Sequence, residues 1–237
     1  MFGNGDSLFE FRGPFGVPVH VSSSVMVLAL VFVGLNASST EDMIFGATLF
    51  AMLMVSIFLH EFGHAWGALI QGVAVERVVL HGGGGFCQTR PRSIRQSEFI
   101  VMMGPIVNLA LWAIASLCSW WIWQRIDRFE PAAISDVQSA MTWLRFAGYL
   151  DIFATINLIL FALNLAPVQP LDGGRLLSYG LMRILPRGLA LRVSGAIGLT
   201  ISVVWLPAML VLFYFFGWLL LFFPSIGLHW RMVRGVA

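Results

Sequence analysis

Residues 43–64 read MIFGATLFAMLMVSIFLHEFGH, and this stretch decides what kind of molecule the chain can form. Its first seventeen residues carry no charged side chain, and the apolar character continues to about Gln71. A helix needs roughly 17–25 apolar residues to cross a bilayer core of about 30 Å. The stretch therefore predicts a transmembrane helix that contains three ionisable side chains, those of His60, Glu61 and His64.

These three residues have the spacing of a zinc site. Histidines four residues apart lie on one face of a helix, so His60 and His64 can bind the same metal ion. Imidazole nitrogen suits zinc, and the neighbouring Glu61 can accept a proton from zinc-bound water. The motif predicts a zinc hydrolase with Glu61 as its general base. The alternative is a polar cluster that joins helices, or part of a proton path.

The composition of the whole chain is also that of a membrane protein. Of its 237 residues, 58% are hydrophobic and 11% are charged, whereas a soluble domain has about 25% charged residues. So few charges cannot cover a water-facing surface. They also argue against a disordered chain and against a nucleic-acid-binding protein.

Six apolar segments predict an all-α polytopic membrane protein with six transmembrane helices in a single domain, 1–237. Residues 189–223 would form a helix of roughly 50 Å, too long for one crossing, so Pro207 is expected to divide them. The catalytic core is expected within 43–176. The predicted spans are 17–35, 43–71, 99–123, 149–165, 189–206 and 207–223.

The distribution of arginine predicts the orientation, because cytoplasmic loops carry an excess of basic residues. With six spans both termini share one side, where the loops hold eleven arginines, and the opposite loops hold three. Both termini are therefore predicted to be cytoplasmic. The eleven are Arg12, Arg77, Arg90, Arg92, Arg95, Arg175, Arg183, Arg187, Arg192, Arg231 and Arg234, and the three are Arg125, Arg128 and Arg145.

The connecting segments carry further signals. Residues 73–90 alternate, are rich in valine and contain four consecutive glycines at 82–85. This pattern predicts a short β-hairpin on the cytoplasmic side between helices 2 and 3. Residues 124–147 are expected to form an outer loop.

A catalytic zinc ion needs a third protein ligand and one open position. Asp172 is a candidate because it follows a helix that descends to the half of the membrane that holds the histidines. Pro167 and Pro170 end that helix, so Asp172 can turn inward. Taken alone, however, Asp-Gly-Gly is typical of a turn, and these residues leave the third ligand open.

The motifs together resemble those of a known family. The zinc motif at 60–64, the sequence GPIVN at 104–108 and the sequence NLAPVQPLDG at 164–173 are similar to the site-2 protease family of intramembrane zinc metalloproteases. The similarity extends over roughly residues 12–225. Gln169 departs from the family pattern, since many members have proline there.

The resemblance implies a role for each matching residue. His60, His64 and Asp172 would bind one zinc ion per chain, and Glu61 would be the general base. Two asparagines complete the implied site: Asn164 would present its amide to the substrate backbone, and Asn108 would line the same cleft.

Hydrogen bonding between helices is the alternative for both asparagines. An extended substrate could pair with the edge of the hairpin, where Gly83 and Gly84 would allow close approach.

The expected function is cleavage of a peptide bond within or near a transmembrane segment, in a substrate such as a single-pass signalling protein. The chain resembles compact members without a PDZ or CBS domain, and the expected location is a prokaryotic inner membrane. One alternative is a membrane zinc protease that cuts soluble or lipidated peptides with glutamate as third ligand. The other is a transporter or channel.

Overall fold

The computed structural model describes residues 7–34, 37–90, 93–126, 134–216 and 222–236. These residues form a mostly helical protein with one small sheet. The helices are α1 (Ser24–Val33), α2 (Thr40–Leu69), α3 (Ile94–Ile126), α4 (Ile134–Asn164), α5 (Asp172–Leu181), α6 (Arg187–Phe216) and α7 (Ile226–Arg234). The strands are β1 (Ser7–Arg12), β2 (Pro18–Ser22), β3 (Val75–His81) and β4 (Gly84–Thr89).

Within the described residues, four helices are long and apolar enough to cross a membrane: α2, α3, and most of α4 and α6. The 30 residues of α2 extend about 45 Å at 1.5 Å per residue. Leu117 of α3 and Leu210 of α6 are among many exposed apolar side chains, as expected of helices that face lipid. An integral membrane architecture is therefore supported, and the expected number of six spans is not confirmed.

The predicted first span, 17–35, is not a single helix. Pro18–Ser22 form strand β2, and α1 has only ten residues, or about 15 Å of helix. Val17, Val19 and Val21 are buried while their neighbours are more exposed, which is the period of a strand. The apolar character of this segment therefore comes partly from burial in a sheet.

The last predicted pair of spans also differs from the structure. Helix α6 runs without interruption from Arg187 to Phe216 and includes Pro207, where the sequence predicted a division. Proline is tolerated inside apolar helices because neighbouring groups satisfy the backbone carbonyl that it leaves free. Part of the predicted span 207–223, residues 217–221, lies outside the described residues.

Two other expectations are corrected at the connections. The predicted outer loop, 124–147, is helical up to Ile126 and again from Ile134 onward, so α4 begins well before the predicted span at Tyr149. Residues 127–133 lie outside the described residues. Helices α5 and α7 were not predicted, because each is short and their apolar residues occupy one face only. An ion pair between Arg183, just after α5, and Glu98 of α3 joins the end of α5 to the long helices.

The predicted hairpin is present, but it is half of a larger sheet. Strands β3 and β4 are antiparallel, and β2 adds to β3 in parallel with Val19 opposite Val78. Strand β1 pairs antiparallel with β2, which gives the order β1-β2-β3-β4. Strands β1 and β4 are therefore the two edges of the sheet.

The sheet packs on α2 directly beside the ionisable residues. Buried valines of β2 and β3 share one apolar cluster with Ile57, Phe62 and Ala65 of α2. Because these residues are interleaved with the zinc motif, the contact brings edge strand β4 to Glu61. A Cβ added at Gly85 would lie 2.7 Å from Glu61 Cγ.

Helix α1 lies along α2 and leads away from the sheet. At its start, the Gly82 amide donates a hydrogen bond to Ser24 Oγ over 3.0 Å. Near its end, the Phe32 carbonyl lies against Gly46, close to the beginning of α2. The segment that contains α1 therefore connects the sheet, at one end of α2, with the other end of α2.

Candidate metal centre

Two distant parts of the chain meet at one buried point. His60 and His64 project from α2, and Asp172 is the first residue of α5. Asp172 Oδ2 lies 3.1 Å from His60 Nε2 and 3.2 Å from His64 Nε2. The two Nε2 atoms are 3.1 Å apart. All three residues are buried, and none is more than 6% exposed.

The hydrogen bonds on the far side of each ring determine which nitrogen faces this point. His64 Nδ1 lies 2.8 Å from the Ile100 carbonyl, which can only accept, so Nδ1 carries the proton. His60 Nδ1 is hydrogen-bonded to Asn108 Oδ1. Both Nε2 atoms therefore present lone pairs toward Asp172, as metal-binding histidines do.

Asn108 is held in turn by a chain of buried polar groups. Its Nδ2 donates to Asn157 Oδ1 over 2.9 Å. Asn157 Nδ2 donates to Ser56 Oγ and to the Phe153 carbonyl, each over 2.9 Å. Ser56, Asn108 and Asn157 are fully buried, so their mutual hydrogen bonds replace those that water would make.

These donors fit a zinc ion. Ligand atoms at 2.0–2.1 Å around a tetrahedral zinc lie about 3.3 Å from one another, close to the separations of 3.1–3.2 Å found here. Two imidazole lone pairs and a carboxylate oxygen facing one another in a buried site require a cation between them. Two histidines with one carboxylate form a donor set used by catalytic zinc.

Glu61 belongs to the same buried cluster. Its carboxylate lies within 4.8 Å of the ligand atoms of His60 and His64. The side chain is buried, and it makes no hydrogen bond to the part of the chain that the structure describes. A buried carboxylate of this kind needs a polar partner within the site itself, and metal-bound water would supply one.

The close packing of α3 depends on Gly104. A Cβ at this position would collide with the rings of both His60 and His64. Any larger residue would therefore displace the imidazoles or separate α3 from α2. Helices α2 and α3 are equally close at Gly63, where a Cβ would lie 2.6 Å from the Met103 carbonyl oxygen.

Asp172 is placed by the chain on both sides of it. The preceding loop, 165–171, folds back on α5, where Gly174 lies against the Gln169 amide. Burial raises the pKa of Asp172, but the two histidines that face its carboxylate lower it by more, so it lies below its ordinary value. The positive end of α5 also favours the ionised carboxylate.

Comparison with known proteins assigns this arrangement to a family. A sequence model of peptidase family M50 matches residues 48–209, which include every element of the site. The chain belongs to peptidase family M50, the site-2 protease family. The resemblance noted in the sequence is thereby confirmed.

Relatives from several organisms support the assignment. A zinc metalloprotease of the archaeon Methanocaldococcus jannaschii is 28% identical over 68% of this chain. Rip3 of Mycobacterium tuberculosis, named as a zinc metalloprotease, is 31% identical over 71% of this chain. The chain spans only 42% of the length of each of these relatives.

A solved structure extends the comparison to the fold. The site-2 protease of Methanocaldococcus jannaschii superposes with a TM-score of 0.63 and 22% identity, over 96% of this chain and 93% of the solved one. At this identity the likeness concerns the fold alone. The helices and small sheet of this M50 chain thus form a site-2 protease fold.

The sequence also predicts Asn164, Gly83 and Gly84 at the site. Asn164 is the last residue of α4 and is half-buried, with no side-chain hydrogen bond to the described residues. Gly83 is in the turn between β3 and β4, and Gly84 begins β4 with a φ of +132°. Of the hairpin glycines, Gly85 is the one that faces Glu61.

Several residues that support the site were not predicted from the sequence. Asn157 and Ser56 lie in apolar helices, where a lone polar residue has many explanations. The Ile100 carbonyl has no signal in the sequence at all. Gly104 could have been found, because it begins the GPIVN motif and a glycine followed by proline in an apolar helix suggests close backbone packing.

Proposed function

We propose that this chain is a zinc-dependent intramembrane endopeptidase that hydrolyses a peptide bond within or near a transmembrane segment of a membrane protein. The observation that carries the proposal is the convergence of His60 Nε2, His64 Nε2 and Asp172 Oδ2 within 3.2 Å, beside the buried carboxylate of Glu61. The names of the M50 relatives support zinc as the metal.

The proposed chemistry gives each residue one task. His60, His64 and Asp172 hold one zinc ion per chain, which when bound polarises the substrate carbonyl and lowers the pKa of its water. Glu61 accepts the proton of that water at its carboxylate and delivers it to the leaving amine nitrogen. Asn108 holds the His60 ring with its Nε2 toward the metal.

The substrate is proposed to bind as an extended strand. A transmembrane helix hides its peptide carbonyls in hydrogen bonds, so hydrolysis requires local unwinding. Edge strand β4 lies next to Glu61 and can pair with an unwound segment by strand addition. Gly83 and Gly84 at the tip allow close approach. The half-buried amide of Asn164 makes no hydrogen bond to the described residues and can bind the substrate backbone.

The orientation is proposed to place both termini in the cytoplasm. The sheet lies at the end of α2 that holds the site, and the segment containing α1 leads to the opposite end. Helix α7 lies against Gly195 and Gly198 in the first half of α6, so the chain returns after α6. The excess of arginine in the loops on this side supports the arrangement.

Cleavage of reconstituted substrates tests the function. The wild-type protein and E61Q are incorporated in vesicles with a set of labelled single-pass transmembrane segments. We expect cleavage by the wild type, its loss with a zinc chelator, and a decrease of at least about a hundredfold in E61Q. Mass spectrometry locates the cut bond.

Two results of this experiment would contradict the proposal. Undiminished cleavage by E61Q would remove Glu61 from the role of base. Cuts confined to soluble tails, outside every apolar segment, would favour a membrane zinc protease of another specificity.

A further inference from the structure

Among the described residues, His229 is the largest of the fully buried side chains, and the proposed chemistry gives it no task. It lies on α7 and is 1% exposed. Its ring rests on Gly198 of α6, at a place where any Cβ would overlap it. Burying an imidazole this completely requires partners for both of its nitrogens.

Among the described residues the ring has three hydrogen-bond partners. Ser202 Oγ lies 3.3 Å from Nδ1, and the other two partners are backbone groups that define one state of the ring. Nε2 accepts a hydrogen bond from the Gln169 amide over 3.0 Å. Nδ1 donates to the Ser225 carbonyl over 2.8 Å. An amide can only donate and a carbonyl can only accept, so the ring is neutral and carries its proton on Nδ1.

The hydrogen bond from Gln169 matters because of where Gln169 lies. It is three residues before Asp172, in the loop that delivers this carboxylate to the two histidines. The Gln169 side chain donates to Ser178 Oγ of α5 over 3.2 Å. Ser178 is in turn 2.7 Å from Ser194 Oγ of α6. Backbone and side chain of Gln169 are thus held by different helices.

We propose that His229 is a positioning residue for the metal centre. By accepting the Gln169 amide it fixes the loop that places Asp172 Oδ2 between His60 Nε2 and His64 Nε2. Helix α7, which begins more than fifty residues after Asp172, therefore helps to position this carboxylate. This inference rests on the proposed role of Asp172 as the third zinc ligand.

Measurements of zinc affinity distinguish a positioning role of His229 from a role in packing alone. Purified full-length variants are titrated with zinc against a chelator of known affinity. H229L removes the acceptor at similar volume, and we expect about tenfold weaker zinc binding, as for other groups that orient metal ligands. H229Q offers an amide oxygen to the Gln169 amide and should stay within about twofold of wild type.

The decisive comparison uses a D172A background. If His229 acts through Asp172, H229L weakens zinc binding in the wild-type background and has no further effect once Asp172 is gone. An undiminished effect of H229L in D172A would overturn the proposal. Wild-type affinity in H229L, with D172A impaired, would also overturn it while leaving the ligand assignment intact. Unchanged zinc binding in D172A would instead refute the ligand assignment itself.

A second variant covers the case in which H229L does not fold. G198A adds a methyl group under the ring and displaces it without removing a hydrogen-bonding group. G188A is the matched control, because it lies on the same helix with open space at the Cβ position. Weaker zinc binding in G198A than in G188A supports the proposal, and equal binding contradicts it.

Discussion

At the scale of residues, the orientation of His60 follows from a chain of donors and acceptors that ends at a backbone carbonyl. The Phe153 carbonyl can only accept, so it fixes the amide nitrogen of Asn157. Asn157 Oδ1 then fixes the amide nitrogen of Asn108. Asn108 Oδ1 is left to face His60 Nδ1, and this leaves Nε2 free to bind metal.

This series of hydrogen bonds predicts that Asn157, which does not touch the proposed metal, affects zinc binding. N157L interrupts this series of hydrogen bonds at its centre and leaves the Asn108 amide without its acceptor. We expect zinc affinity to fall by about tenfold to a hundredfold, measured by chelator competition. S119A is the control, because Ser119 is equally buried but lies in a different part of the α3–α4 contact. Equal zinc affinity in N157L and S119A would contradict the role of these hydrogen bonds in zinc binding.

The residues differ in how far the sequence could predict them. His60, Glu61 and His64 follow from their spacing, because a helix determines which side chains share a face. Asp172 needed the family resemblance, since its position depends on how the loop folds back after α4. Asn157 and His229 could not be predicted, because their roles depend on partners 49 and 60 residues away.

At the scale of elements, the sheet places its edge strand against the carboxylate of Glu61, the proposed general base. Gly85 of β4 leaves no room for a side chain beside Glu61, whereas a Cβ at Gly83 would make only an ordinary contact of 3.4 Å with His81. The two glycines are close in sequence but differ in what surrounds them. Substitutions at the two glycines therefore distinguish packing of β4 against Glu61 from contact of the hairpin tip with the substrate.

We expect G85A and G83A to affect different kinetic constants. G85A displaces Glu61 and should lower kcat by about tenfold or more, with zinc content unchanged. G83A leaves Glu61 in place and should raise KM alone if the tip contacts the substrate. Steady-state cleavage of a transmembrane substrate measures both. A G85A variant with wild-type kcat would contradict the proposed position of β4.

The sheet also explains why the predicted first span was wrong. The valines of 17–21 are apolar enough for a membrane helix, but their alternation is that of a strand. Their partner is β3, more than fifty residues later, and a hydropathy window cannot detect such pairing. The hairpin was predicted because its two strands and its glycines are contiguous.

At the scale of the whole molecule, sheet, metal centre and α7 lie at the same end of the helices. The proposed orientation makes this the cytoplasmic end. Tags fused to the two termini should therefore both resist protease added outside intact cells, and both should be cleaved in inverted vesicles. A tag at either terminus that is cleaved from outside would contradict the orientation.

The long helices were the easiest part of the molecule to predict, because apolar length alone identifies α2, α3 and α6. Their ends were harder, since α4 extends into a segment whose charges suggested a loop. The continuity of α6 through Pro207 depends on its surroundings, which the sequence does not state. The short helix α5 carries Asp172, and α7 packs against α6, although nothing in hydropathy indicates either helix.

Bound zinc per chain, measured in the purified wild type and in D172A, tests most directly whether two distant motifs form one metal centre. D151A is the control, because Asp151 is an exposed acid on α4. We predict about one zinc ion in the wild type and in D151A, and a sharp loss in D172A. Equal zinc in all three proteins, or no zinc in a folded wild type, would contradict the proposed centre.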